Sequence, residues 1–560
     1  MGKWEGPGSV ERSDRIGALP FGRSDRLTAR GLSVMPLARS AGPTVRDAVM
    51  QLLTDFGMTM IFGNPGSTEL PMFRDLPDRF RYVLGLQESV VVGMADGYAQ
   101  ATGRAAFVNL HSSAGVGHAM GNLFTAYRNG TPLVVTAGQQ ARSILSHEPF
   151  LYAERATELP RPFVKWASEP ARAEDVPLAI ARAFHVAMQA PRGPTFVSIP
   201  IDDWERPCAP IAPAVMSGRV AADPVALADA AAILAGAAHV AIVAGAGVAH
   251  NDARTAVQEL AERIGSGVWI APMAARNPFP EDHALFRGFL AASRETIVRD
   301  LTGADVVLVL GAPAFTYHVE GEGPFLPPGA CLIQIGDDPA MAARVPHGLA
   351  IVGDVRLAVE TILHGLLPRS AAVSSPAPVV APPSPDVLTD ALLMARLSAL
   401  RPAGIAIVEE APSTRGPMHD WFPIRAGDEF HTCASGGLGH GLPAAIGVAL
   451  ARPDRPVLCL LGDGSAMYAI QGLWSAVAHG ADVRFVIVNN GGYAALDQLG
   501  ALFGIEAVGT TIGGIDFAGM AQAQGMTAER VTGPAALDSA IERLFAGLGP
   551  RLLEVVTRPA

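Results

Sequence analysis

VLCLLGDGS (residues 457–465) is followed, after a stretch of helix-forming composition, by RFVIVNNGG (484–492). Val457–Leu461 is a short apolar run bounded by turn residues, the pattern of a strand buried on both faces of a parallel sheet. It stops at Gly462-Asp463-Gly464-Ser465, and a helix is predicted through Trp474 and Ala478. Arg484–Val488 then reads as a second buried strand that stops at Asn489-Asn490-Gly491-Gly492. Strand, crossover helix and strand make one βαβ unit, which puts Asp463 and Asn490 at the carboxyl ends of two parallel strands. Ligands of open α/β sheets bind at that edge.

The residue types suit one chemistry. Asp463 offers a carboxylate and Asn490 an amide oxygen, both hard ligands. With a backbone carbonyl and a diphosphate they would complete an oxygen shell for Mg²⁺. Glycines beside Asp463 allow close approach of phosphate, and the following helix turns its N-terminus toward an anion. Either Gly-rich turn alone would be unremarkable. Two of them at strand ends, one helix apart, favour a cofactor site.

The same alternation of apolar runs and Ala-rich helical stretches extends over the whole chain, so the expected class is α/β with parallel sheets. A flexible tail is expected over 1–43 and a first unit over 44–205, ending at the strand Thr195–Ile199. The Pro-rich stretch 207–213 separates it from a second unit over 216–367, with strands near His239–Val243, Gly267–Ile270 and Asp305–Leu310. A Pro/Ser/Ala-rich linker over 368–388 leads to a third unit over 389–560.

Composition excludes several functions. Hydrophobic residues reach 49% of the 560, which rules out disorder over most of the length. The net charge is −11 with no basic run, so no nucleic-acid partner is expected. The most apolar long window, Ala230–Ala249, is Ala- and Gly-rich and reads as a buried helix followed by a strand, not a membrane span. Residues 1–43 lack the apolar core of a secretory signal. Cys208, Cys331, Cys433 and Cys459 are widely separated, which argues against a disulfide framework or a thiolate metal site and for a reducing, cytoplasmic compartment. Lys3 and Lys165 are the only lysines, the other 40 basic residues being arginines, so a Schiff-base mechanism would have to use Lys165 and no Walker-A loop exists.

The GDGS-to-NN stretch resembles the diphosphate–metal motif of thiamine-diphosphate-dependent enzymes. Gly63–Pro71 (GNPGSTELP), Leu86–Glu88 (LQE) and Ala95–Ala99 (ADGYA) are similar to that family's pyrimidine-binding domain. NLHSSAG (109–115), LPRPFVKW (159–166) and GAPAFTYH (311–318) extend the resemblance to the family's 2-oxo acid decarboxylases, nearest the branch acting on benzoylformate. The resemblance covers about residues 44–558 and implies three doubly wound domains: pyrimidine-binding, middle and diphosphate-binding.

Roles follow residue by residue. Glu88, between the apolar runs Val83–Leu86 and Val90–Val92, is expected to be buried and able to share a proton with a ring nitrogen. The resemblance makes it the group that holds the cofactor's aminopyrimidine in its imino form. His111 closes the predicted strand Ala106–Leu110 and His318 closes a predicted strand over Ala312–Tyr317. Both match active-site histidines of the family, suited to proton transfers near neutral pH. Ser67 is implied to bond the substrate carboxylate, while Glu69 is either solvent-facing or close to the site. Asp463, Asn490 and the Gly492 carbonyl are implied to hold Mg²⁺. Gly464, Ser465, Ser413 and Tyr493 are implied to bind the cofactor's diphosphate side, and Gly436 and Leu438 its pyrimidine side.

There are departures. Gly492 stands where the family's pattern has threonine, which backbone ligation tolerates. Leu499 replaces a pocket aromatic, and Pro412 and Arg415 replace small polar residues. The reading is decarboxylation of an aromatic 2-oxo acid, benzoylformate first, to an aldehyde and CO₂. An acetolactate-synthase-like transferase is the alternative, and Gly245-Ala-Gly247 is too weak a signature for a flavin. The separate modules imply a homo-oligomer, at least a dimer and in the fuller form a dimer of dimers.

Overall fold

The computed structural model describes residues 42–369 and 381–557, so the proposed tail over 1–43 and the centre of the proposed linker lie outside the described residues, apart from their edges. Three parallel six-stranded sheets carry the fold. The first runs, in spatial order, Arg81–Leu84, Met60–Gly63, Ala106–Leu110, Leu133–Gln139, Thr195–Pro200, Ala167–Ser168. The third repeats that order with Glu429–Thr432, Ala406–Glu410, Val457–Gly462, Val483–Asn489, Arg551–Val556, Thr527–Val531. The middle sheet runs Leu349–Val352, Cys331–Gly336, Val306–Leu310, Val240–Ala244, Gly267–Ile270, Phe286–Phe289. Central strands are fully buried, as helices on both faces require.

The first and third orders step back at one edge, where Ala167–Ser168 and Thr527–Val531 lie outside the strands that follow them, and every order has one reversal at its centre. The reversal lies between Met60–Gly63 and Ala106–Leu110 in the first sheet, between Val240–Ala244 and Val306–Leu310 in the middle one, and between Ala406–Glu410 and Val457–Gly462 in the third. At such a switch point the crossover helices diverge to opposite faces and leave a crevice at the carboxyl edge. The loops carrying Ser67, His111, His318, Ser413 and Asp463 leave strands at these reversals, while those carrying Glu88, Gly436 and Asn490 leave the next strand outward.

The first and third sheets share a core. The helices Glu88–Thr102 and Gly441–Ala451 pack directly, with Val90–Ala99 against Leu442–Ala449. They approach closely because the crossing lacks side chains: a Cβ on Gly97 would lie 2.0 Å from the Ala444 carbonyl oxygen, and one on Gly447 would lie 1.9 Å from that of Met94. Beside this crossing Asp96 and His440 form a fully buried ion pair. Burial opposes charge on each, but the opposite charge of the partner prevails, lowering the Asp96 pKa and raising that of His440. The middle sheet is tied in by Arg276, whose guanidinium donates to the Gln100 carbonyl and meets the His431 ring.

Several expectations are corrected. The strand predicted over Ala312–Tyr317 is a loop, because Gly311 turns the chain at φ +62° and Pro313 cannot donate to a ladder. The single helix predicted after Gly462 is two, Asp463–Met467 and Gly472–His479, and Gly472 in the second packs so close that a Cβ would reach Leu442. The helix Pro224–Gly236 buries only Leu227, Ala230 and Leu234, so it is a surface helix, and the strand Val240–Ala244 follows. All four cysteines are free. Among the described residues no helix is long and apolar enough to cross a membrane.

Candidate functional site

At the third sheet's switch point Asp463 follows the strand Val457–Gly462 and opens a short helix. Its carboxylate, 3% exposed, accepts from three backbone N–H groups: Gly464 at 2.7 Å, Gly491 at 2.7 Å and Gly492 at 3.0 Å. Burial pushes its pKa up, and those three donors work against the rise. Gly491 at φ +81° supplies the left-handed turn that folds the second loop back onto Asp463. Asn490 donates to the Ser413 hydroxyl at 3.3 Å, and its own amide oxygen accepts from Gly492 at 3.2 Å. Asp463, Asn490, Gly492 and Ser413 are therefore one hydrogen-bonded cluster. Gly464 lies beneath Tyr493, where a Cβ would come within 2.3 Å of the phenol ring, and Ser465 is buried in the same turn.

One strand away, Glu410 ends Ala406–Glu410 opposite Leu461. Its buried carboxylate accepts from three successive N–H groups, Gly439 at 2.7 Å, His440 at 2.8 Å and Gly441 at 2.5 Å. It thus caps the helix Gly441–Ala451 and fixes the loop that carries Gly436 and half-buried Leu438. Sequence reading missed Glu410. Its signal is the one that found Asp463, an acidic residue closing an apolar run at a strand's carboxyl end.

At the first sheet's switch point the loop Gly63–Glu69 meets His111. Glu69, left open between solvent and site by the sequence, is 1% exposed. It accepts from Gly66 N at 2.9 Å, Gly138 N at 2.9 Å and Thr68 Oγ1 at 2.5 Å, and pairs with His111 Nδ1 at 2.8 Å. The His111 ring covers Gly66 so closely that a Cβ there would lie 2.1 Å from Nδ1. Ser67 is exposed at the apex of this loop. Glu88 is buried as expected, the first residue of the helix Glu88–Thr102, with Gln87 rather than Glu88 as the cap. Its Oε2 pairs with Nδ1 of His118, a partner the sequence did not suggest, at 3.1 Å.

His318 stands apart from both clusters. It is exposed, eight residues beyond the strand Val306–Leu310, and its backbone N–H donates to the Ala292 carbonyl at 2.8 Å. Among the described residues no hydrogen bond or ion pair joins Glu88, His111 or Ser67 to Asp463, Asn490 or His318. No group of three His, Cys, Asp or Glu is placed to hold a metal among the described residues either, so a cation here would depend on the one carboxylate of Asp463 together with amide, carbonyl and ligand oxygens.

The three sheets correspond to three family matches. Residues 43–155 match the thiamine pyrophosphate enzyme N-terminal TPP binding domain, 227–362 its central domain, and 415–555 its C-terminal TPP binding domain. The chain is 41% identical over 526 residues to a benzoylformate decarboxylase of Pseudomonas aeruginosa, covering 92% of this chain and 99% of the relative. It resembles the solved thiamine diphosphate-dependent 4-hydroxybenzoylformate decarboxylase of Rhodococcus jostii RHA1, with TM-score 0.89, 40% identity and coverage of 92% and 100%. The solved benzoylformate decarboxylase of Polynucleobacter necessarius gives TM-score 0.89 and 37% identity, with coverage of 92% and 99%. An Escherichia coli acetolactate synthase large subunit is more distant, at 27% over 540 residues, with coverage of 91% and 93%. With matching domains in order over three parallel sheets, the chain belongs to the thiamine pyrophosphate enzyme family.

Proposed function

We propose that this chain decarboxylates an aromatic 2-oxo acid, benzoylformate first, to the aldehyde and CO₂. One observation carries the reading. Two sheets with the same strand order offer complementary chemistry at the same switch point, a Glu–His pair in the first and a buried carboxylate–amide cluster in the third.

The third cluster fits thiamine diphosphate and Mg²⁺. Asp463, Asn490 and the Gly492 carbonyl form a set of hard oxygen donors, and the bare Gly464 beneath Tyr493 is a cradle that any side chain would fill. Asp463, Asn490 and Gly492 would hold the cation. Ser413, Gly464, Ser465 and Tyr493 would bind the diphosphate side, and Gly436 and Leu438 the pyrimidine side. Bound there, thiamine diphosphate supplies the electron sink for loss of the carboxylate.

The protein's own residues do the rest. Glu88, buried at the head of its helix, would hold a proton against a ring nitrogen. Glu69 fixes His111 through Nδ1, which leaves Nε2 to move a proton at the carbon that has lost CO₂. Ser67 would bond the substrate carboxylate, and His318, on the middle sheet's loop, is the second proton carrier.

Because among the described residues no hydrogen bond or ion pair joins Glu88, His111 or Ser67 to Asp463, Asn490 or His318, the complete site would form between two copies, as a dimer or a dimer of dimers. Leu496, Leu502, Phe503, Ile505 and Val508, which follow Asn490 in the chain, are exposed apolar side chains that a partner could cover. The free cysteines suit a cytoplasmic setting. The deciding experiment is turnover of benzoylformate by purified protein with added thiamine diphosphate and Mg²⁺. Benzaldehyde formation dependent on both additions supports the reading. Acetolactate from pyruvate, with no aldehyde from any aryl 2-oxo acid, would replace it with the transferase.

A further inference from the structure

One face of the helix Ser112–Arg128 meets the head of the helix Glu88–Thr102. His111, the residue that opens it, is followed by Gly115, His118 and Asn122 at intervals of four, three and four residues, so these positions line up along one side. His111 takes Glu69. Gly115 lies against Glu88 Oε1, where a Cβ would come within 3.2 Å of that oxygen. His118 pairs through Nδ1 with Glu88 Oε2 at 3.1 Å, and Asn122 Nδ2 donates to the Ser89 carbonyl at 2.7 Å. Gln87 Nε2 closes the set by donating to the His118 carbonyl at 3.4 Å.

Glu88 needs such a fixed point. As the first residue of its helix it sits at the positive end of the dipole, which favours the carboxylate but gives it no direction. The cap does not hold it either, since Gln87 Oε1 accepts from Ser89 N at 2.7 Å and Val90 N at 3.1 Å. Among the described residues His118 is the one hydrogen-bond or ion-pair partner of the Glu88 side chain. An ionised Glu88 selects the tautomer with hydrogen on Nδ1, so the ring donates and the carboxylate accepts. With Oε2 taken, Oε1 is the oxygen left for a ring nitrogen, and Gly115 keeps the space beside it clear.

The pair is poorly placed to serve stability. The His118 side chain is 66% exposed and that of Glu88 11%, and an ion pair this open to water adds little to folding. Orientation is what it supplies. A glutamate side chain turns about several bonds, and holding one of its oxygens removes most of that freedom before the other is used.

We infer that His118 is the positioning residue of Glu88, holding Oε2 so that Oε1 meets the cofactor's pyrimidine nitrogen. This rests on the decarboxylase reading, which gives Glu88 its role, and adds the residue that aims it. The test compares the native protein with His118→Ala and with His118→Asn, whose amide nitrogen can replace Nδ1 as the donor to Glu88. The readout is the rate at which the thiazolium C2 proton of bound thiamine diphosphate exchanges for deuterium, followed by NMR after acid quench and with no substrate present. His118→Ala is expected to slow this exchange by about tenfold or more, the worth of one hydrogen bond to a charged group. It is expected to lower kcat on benzoylformate by a similar factor while KM changes less than about twofold. His118→Asn is expected to restore the exchange to within about threefold of native. Both variants are expected to melt with the native protein, because the pair is open to water. Unchanged exchange in His118→Ala overturns the inference, and so does a His118→Asn protein as slow as His118→Ala. A His118→Ala protein that melts well below the native one overturns it too, by making the pair structural. Each of those results leaves decarboxylation standing. A native protein that neither speeds C2 exchange over free thiamine diphosphate nor turns over an aryl 2-oxo acid overturns the underlying reading and this inference with it.

Discussion

Lowering the pH from 8 to 5 is expected to weaken the joint at which Arg276 ties the middle sheet to the other two. Arg276 is buried, donates to the Gln100 carbonyl at 3.0 Å, and rests its other terminal nitrogen on the His431 ring. The backbone reinforces the contact, since Thr432 N donates to the Ala275 carbonyl at 3.0 Å. Burial first, and then the Arg276 charge, hold the His431 pKa down to about 3. Glu429, 3.6 Å from His431 Nε2, pulls the other way, and Arg254 adds to the depression. The unfolded chain's histidine titrates near 6.5, so between about 6.5 and 3 it binds a proton that the folded state refuses. Stability is therefore indifferent to this group above pH ~6.5 and falls below it by ~1.4 kcal/mol per unit, a loss of about 2 kcal/mol at pH 5. Glu429 is itself held down to about 2, so its stabilisation is complete above about 4.5 and adds no slope in this window. His431→Gln keeps an oxygen that can accept from Arg276 and removes the titration. Urea unfolding followed by tryptophan fluorescence at several pH values should give the variant a curve flatter by about 2 kcal/mol between pH 6.5 and 5. Parallel curves for the two proteins would refute the reasoning.

Asp463→Ala should abolish the rise in melting temperature that thiamine diphosphate with Mg²⁺ gives the native protein, since it removes the acceptor around which both loops fold. Glu88→Gln should lower kcat by roughly 10²–10⁴, the range for a lost proton-transfer group, while cofactor binding by fluorescence titration changes far less. Glu410→Gln cannot accept from all three N–H groups of Gly439–Gly441 as a carboxylate does. Leaving one of them without its acceptor costs about 1–3 kcal/mol, which should appear as cofactor affinity weaker by about tenfold or more. Gly97→Ala would drive a methyl into the Ala444 carbonyl and should lower the unfolding midpoint with or without cofactor.

The strands were legible because burial on both faces writes them as unbroken apolar runs. Val457–Leu461 and Ala106–Leu110 needed no long-range information. Asp463 and Asn490 were legible for a related reason, as polar residues ending such runs in glycine turns. The same logic failed at Ala312–Tyr317, where apolar composition masked Pro313 and the left-handed Gly311. Asp96–His440 could not be read locally, because its partners lie 344 positions apart and meet only after two helices cross at glycines. Glu69 could not be placed because a carboxylate in a Gly/Pro loop reads as solvent-facing until Gly66, Thr68 and Gly138 converge on it.

How the chain moves protons with almost no lysine follows from one repeated arrangement. Lys165, the only lysine among the described residues, donates from Nζ to the carbonyls of Val186 and Gln189 at 2.6 and 2.5 Å, ending the helix Val176–Met188, and burial takes its pKa down to about 8. That amine is occupied as a helix cap, so imidazoles are left to carry protons. Three times a glutamate takes Nδ1 of a histidine: Glu69 with His111 at 2.8 Å, Glu88 with His118 at 3.1 Å and Glu281 with His419 at 3.1 Å. Pairing through Nδ1 selects one tautomer and aims Nε2 away from the carboxylate, so each ring presents a single defined nitrogen to whatever lies beyond it. The partners are 42, 30 and 138 residues apart, spacings with no periodicity to betray them. Two of the pairs belong to the first sheet's candidate site, and the third ties Glu281 to the helix Arg415–Trp421. The fold therefore orients three of its imidazoles by one device.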